Sequence, residues 1–109
     1  MHFRPMKAIS AIWLLASTLC AEAQSGPGDQ VAGRALAERL CSNCHAVIPD
    51  SPNTLRGDIP SFMTIARMPN TTPERLAGAI ILPHPAMPGV ALTRTELRDI
   101  IGYIMSLRP

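Results

Sequence analysis

Several things are scarce in this chain, and each scarcity narrows what it can be. One Trp, one Tyr and two Phe are the only aromatics among 109 residues. A core so poor in rings rests on Leu, Ile, Ala and Met, and a domain of this size often needs covalent or cofactor help. Lysine occurs once, at Lys7, and the formal net charge is only +2, a balance that gives no strong pull toward nucleic acid. No apolar run approaches the roughly 20 residues that cross a bilayer as a helix; the Ala8 to Leu19 run has 12. Strand-like alternation, internal repeats and low-complexity tracts are also missing, which argues against a βαβ sheet or a repeat array.

What is present begins with an amino terminus unlike the rest. His2, Arg4 and Lys7 make a positive start, Ile9, Ile12, Trp13, Leu14 and Leu15 lie in the apolar run, and Ala21-Glu22-Ala23 is a small-x-small cleavage site. This is the layout of a secretory signal, so residues 1–23 are read as a cleaved signal peptide and 24–109 as one exported, periplasmic domain. Cys20 raises the alternative of a lipid-modified terminus, but Leu19 stands where such signals carry a small residue, so Cys20 goes to the removed segment. The remaining 86 residues hold eight arginines, no lysine and seven acids, for a formal charge of +1, with Phe62 and Tyr103 as aromatics.

That domain reads as all-α, with three to four helices. Asp29 is a good N-cap for a helix through Val31, Ala32, Ala35, Leu36 and Leu40 that runs into a cysteine pair. Gly33 inside it costs about 1 kcal/mol relative to alanine, which suggests close approach by another helix. Ala46 to Pro60, with its prolines, Gly57 and turn formers, is an irregular loop anchored by Val47, Ile48, Leu55 and Ile59. Ser61 to Arg67 forms a short helical turn carrying Phe62, Met63 and Ile65. Thr71-Thr72-Pro73-Glu74 opens another helix whose apolar face is Leu76, Ala79 and Ile80. Pro83-His84-Pro85-Ala86-Met87-Pro88-Gly89 cannot continue it and makes a stiff loop. Thr93 and Glu96 form a capping box, Leu92 and Leu97 a hydrophobic staple, and Leu97, Ile100, Ile101 and Ile104 the stripe of a last helix ending near Leu107.

The chemistry concentrates in Cys41-Ser42-Asn43-Cys44-His45. A C-x-x-C-H element suits covalent attachment of haem, because side chains three and four apart share a helical face. Cys41 and Cys44 can bond the two vinyl groups while His45 turns its imidazole to the iron. A disulfide or thiol-redox pair is the alternative, but such a pair sits at a strand-to-helix junction, and no strand is visible. A zinc site from Cys41, Cys44, His45 and His84 is disfavoured, because adjacent Cys44 and His45 cannot easily ligate one ion together. The other ring nitrogen of His45 needs an acceptor, expected among the carbonyls of Ile48 to Asn53.

The opposite axial position falls to Met87, whose flanking Pro83, Pro85, Pro88 and Gly89 would hold a thioether in one place and whose sulfur raises the potential. Met68 also precedes a proline and is the rival. Met63 and Met105 lie on helical patterns and read as core. His84 would lower the potential as a second histidine ligand, but between two prolines it reads as a loop residue near the haem edge.

With these residues in place the chain resembles the class I c-type cytochromes, the small monohaem periplasmic type, over nearly all of residues 24–109. The resemblance is carried by Gly33-Arg34-Ala35-Leu36 before Cys41 to His45, by Met87-Pro88, and by Leu92 to Leu97 opening a helix that ends in Tyr103-Ile104-Met105-Ser106-Leu107. It implies a small cytochrome c fold enclosing one covalently bound haem c, with first and last helices crossing and Gly33 set against Tyr103. The ring of lysines used for partner docking is absent, and the loop after His45 lacks the usual Gly-Pro pair and aromatics; Arg56 and Arg67 are the candidate propionate donors. Two propionates would bring the charge to about −1. The function implied is single-electron transfer between exported redox proteins such as a dehydrogenase or oxidase, as a free carrier or a subunit, without catalysis. A haem enzyme or gas-binding sensor with a displaceable sixth ligand is the alternative.

Overall fold

The computed structural model describes residues 1, 26–50, 57–82, 84, 85 and 87–109. The expected signal segment, Leu55, Arg56 and Pro83 lie outside the described residues. Four helices follow in order: α1 Gln30–Leu40, α2 Phe62–Arg67, α3 Pro73–Ile81 and α4 Arg94–Ser106. Among the described residues there is no strand, only an isolated antiparallel bridge between His84 and Met87, so the all-α architecture is as expected.

Each helix starts where a side-chain oxygen can take up free amides. The Asp29 carboxylate accepts from the Val31 and Ala32 amides at 2.9 and 3.1 Å. Ser61 and Thr72 do the same for Thr64 and Arg75. Pro73 occupies the first turn of α3, where no intrahelical donor is lost. At α4 the box is reciprocal: the Thr93 hydroxyl accepts from the Glu96 amide at 3.2 Å, and the Glu96 carboxylate accepts from the Thr93 amide at 2.8 Å.

The core is one cluster of Leu36, Ala37, Val47, Phe62, Ala66, Leu76, Ile100, Tyr103 and Ile104. α4 is its centre, contacting α1 most extensively and α2 and α3 as well. Ile100 and Ile104 are each 2 % exposed, whereas Leu97 sits at the edge of an apolar cleft of about 290 Å³ that it shares with Ile80, Ile81, Val90 and Leu92. The burial pattern of α1 is narrower than its apolar sequence suggests. Gly33, Leu36 and Ala37 face α4, while Val31 is 80 % and Leu40 41 % exposed, because a helix meeting one neighbour buries only an i, i+3, i+4 stripe. In α3 the stripe is Leu76 and Ile80; Ala79 is exposed.

At the α1–α4 crossing the nearest neighbours of Gly33 are backbone. Gly33 stands against the Asp99 carbonyl and the Ile100 amide, one turn before Tyr103, and a β-carbon at Gly33 would overlap the Asp99 backbone. Gly28 meets the Arg98 carbonyl and Gly102 in the same way. Asp99, 8 % exposed, uses the proximity: its carboxylate accepts from the Asp29 amide at 2.8 Å. At the far end of α4, Arg108 donates to the Ala66 carbonyl at 3.1 Å and the Thr71 carbonyl at 2.6 Å, closing the α2–α3 connection onto α4.

Two outcomes test this framework. Gly33→Ala is expected to cost about 1–3 kcal/mol, the ordinary range for overpacking, in denaturant unfolding of the holoprotein, while Gly26→Ala, which meets nothing, leaves the midpoint unchanged. Hydrogen bonds from the Thr93 backbone and side chain hold the Glu96 carboxyl below its ordinary value of 4.5. Its contribution is therefore present above that pH and lost as pH falls through the lowered value. Glu96→Gln is expected to lose stability near neutral pH and to lack this acid-side decline, read from unfolding midpoints across pH.

Candidate haem site

The C-x-x-C-H element is a single turn continuing from the end of α1. α1 closes at Cys41, whose amide bonds the Ala37 carbonyl. The Cys44 and His45 amides then both donate to the Cys41 carbonyl, at 3.2 and 2.9 Å. The Ser42 hydroxyl donates to the Glu38 carbonyl, another free acceptor of the helix end. Cys41 and Cys44 are unbridged and half-buried. Burial pushes the Cys41 thiol up, the opposite of the lowered value that activates a thiol-redox cysteine. Among the described residues no group of three or more His, Cys, Asp or Glu is gathered for a bare metal ion.

His45 is fixed on two sides. Its Nδ1 lies 2.7 Å from the Pro60 carbonyl, and its ring meets the Phe62 ring at 5.4 Å between centroids, tilted by 52°. The acceptor thus comes from the end of the loop, beyond the Ile48 to Asn53 stretch the sequence suggested. The loop returns to its start, because the Phe62 amide bonds the Ala46 carbonyl at 3.0 Å. That closure carries Pro60 to the histidine and seats Phe62, 4 % exposed, between the imidazole and Tyr103. The Tyr103 hydroxyl donates to the Val47 carbonyl at 2.7 Å, so α4 pins the chain two residues after His45. With Nδ1 donating to a carbonyl, Nε2 keeps its lone pair for a metal.

Met87 stands on the α3–α4 connection, half-buried, its amide bonded to the His84 carbonyl at 3.2 Å. Its rival Met68 caps α2 and is 44 % exposed, whereas Met63 and Met105 pack against the core cluster. Arg67 lies exposed in the last turn of α2. Phe62, Tyr103 and Pro60 were not singled out from sequence as neighbours of His45, since nothing local marks a carbonyl or ring fifteen or more residues away. The Pro60-Ser61-Phe62 junction, where a loop meets an N-cap, was the available signal.

Two thiols in one turn and an imidazole whose Nε2 meets no hydrogen-bond partner among the described residues form a donor set that fits a covalently held haem. The chain is 46 % identical over 77 residues to cytochrome c-552 of Bradyrhizobium diazoefficiens, a match spanning 71 % of this chain and 73 % of that protein. No family model matches the chain, and no solved structure matches it at a significant level.

Tyr103→Phe removes the donor to the Val47 carbonyl and is expected to cost about 1–3 kcal/mol, the penalty of a buried acceptor left alone. Denaturant unfolding of the haem-loaded protein measures it, and a change below a few tenths would show that α4 does not pin this segment.

Proposed function

Because this chain belongs to the class I c-type cytochrome family and is an electron carrier with covalently bound haem, we propose that it holds one haem c on Cys41, Cys44, His45 and Met87. We propose further that it is exported after cleavage near Ala23 and passes single electrons between exported redox proteins. The free carrier and the subunit of a dehydrogenase or oxidase are two forms of that role. The single observation that carries the reading is His45: an imidazole braced by the Pro60 carbonyl and the Phe62 ring, one residue after a pair of unbridged cysteines.

The haem, when bound, supplies the one-electron iron couple. Everything else is the polypeptide's part. Cys41 and Cys44, at the end of a helix that α4 fixes, would hold the ring by thioether bonds. Pro60 keeps the Nδ1 proton of His45, so that Nε2 is a strong and correctly directed donor. Met87, on a loop stiffened by Pro85 and Pro88, provides a thioether that favours reduced iron. With His45 and Met87 both holding the bound group, no position on it would be left open for a substrate. Among the described residues no helix is long and apolar enough to cross a membrane.

The test is to express the full precursor in cells that mature c-type cytochromes and isolate the exported protein. Its mass is expected to equal residues 24–109 plus one haem that survives acid extraction, and Cys41→Ser/Cys44→Ser loses the covalently stained band on a denaturing gel. The ferric protein is expected to be low-spin with a methionine-to-iron charge-transfer band in the far red. A high-spin native spectrum with rapid carbon monoxide binding would point instead to the haem enzyme or gas-binding alternative.

A further inference from the structure

Met87 has a companion that the electron-transfer reading leaves unused. His84 and Met87 face each other across the isolated antiparallel bridge, with the Met87 amide on the His84 carbonyl at 3.2 Å. Residues directly opposed in an antiparallel pair project to the same side of the ribbon, with β-carbons about 4.5–5.5 Å apart. The turn therefore sets the backbones of two residues whose side chains can ligate iron opposite one another, a half-buried methionine and an exposed histidine. Proline at 85 and 88 fixes the backbone torsion on either side of Met87, so this pairing belongs to the loop's resting shape.

The imidazole is also available chemically. Nδ1 of His84 lies 3.4 Å from the Leu82 carbonyl, a contact too long to commit either ring nitrogen, so one of them keeps the lone pair that a metal takes. The contact at His45 is tighter, with Nδ1 at 2.7 Å from the Pro60 carbonyl.

We propose that His84 is a reserve axial ligand, which takes the sixth position of the iron when the Met87 thioether is withdrawn. The proposal rests on the assignment of Met87 as the native sixth ligand. Thioether ligation favours the reduced state, whereas a second imidazole favours the oxidised state. The exchange converts the high-potential carrier into a low-spin, low-potential form that stays closed to small ligands. Loss of Met87 would thus lower the potential without opening a peroxide- or carbon monoxide-binding site.

The experiment uses haem-loaded exported protein: the native chain, Met87→Ala, His84→Ala and Met87→Ala/His84→Ala, with helical circular dichroism showing that each is folded. His84→Ala is expected to keep the far-red methionine band and Met87→Ala to lose it. Persistence of that band in Met87→Ala overturns the Met87 assignment and the proposal with it. Granted the loss, Met87→Ala is expected to remain low-spin, to show a bis-imidazole signal in electron paramagnetic resonance, to fall in potential, and to bind carbon monoxide slowly. The double variant is expected to become high-spin and to bind it rapidly. A high-spin Met87→Ala, or a double variant as low-spin as the single one, overturns the reserve role while leaving the carrier function standing. Should the double variant fail to accumulate, electron paramagnetic resonance of Met87→Ala alone decides between a bis-imidazole and a high-spin ferric signal.

Discussion

The close crossing of α1 and α4 is the constraint on which the rest of the structure depends. Gly33 lies directly on the backbone of Asp99 and Ile100, and Gly28 on Arg98 and Gly102, so the two helices meet main chain to main chain. α1 delivers the cysteine turn at its carboxyl end, and α4 delivers Tyr103 to Val47. The separation and angle of the two helices therefore set where the segment from Cys41 to Val47 sits. A looser crossing would leave the motif intact in sequence but without a fixed place from which to hold a cofactor. Asp99 reinforces the arrangement by taking the Asp29 amide, which ties the start of α1 to the middle of α4 as well.

From that crossing the support passes outward in a short chain of rings and carbonyls. Tyr103 backs Phe62, and Phe62 backs the imidazole of His45. The residue two before Phe62 takes the imidazole proton. One loop closure, Phe62 amide to Ala46 carbonyl, brings both supports to the histidine together. The scarcity of aromatics thus has a structural sense: the two rings in the described part of the chain pack in succession against His45. The remaining core is aliphatic.

Much of this was legible because the signals are local. Thr93 with Glu96, Thr72 with Pro73, and Ser61 each mark a helix start within four residues, and the bonds are found there. The all-α class followed from apolar spacing, helix caps and the lack of strand-like runs. The relations that escaped reading are those between distant segments. Asp99 looks like any polar residue on a helix until α1 is laid beside it, and Arg108 looks like a frayed terminus until Ala66 and Thr71 turn their carbonyls toward it. Pro60 carries no mark of an acceptor, since every residue has a carbonyl; only the loop's closure selects it. Spacing identifies which helices cross, whereas the point of contact is decided by which residues are small enough to let backbones touch.

The loop between α3 and α4 completes the logic from the other side. A thioether is a weak ligand, so Met87, if it is to serve as the proposed iron ligand, has to be held in place by its surroundings rather than by its own bond. Free rotation in a flexible segment would oppose ligation with the entropy of several torsions. Pro85 and Pro88 remove part of that freedom before any cofactor is present, and the bonded turn from His84 to Met87 removes more. The same economy explains why the histidine side can be built differently. His45 follows the cysteines without a gap, so its backbone is positioned by the turn itself, and what remained to be fixed was the rotation of a single ring, which the Pro60 carbonyl and the Phe62 face supply.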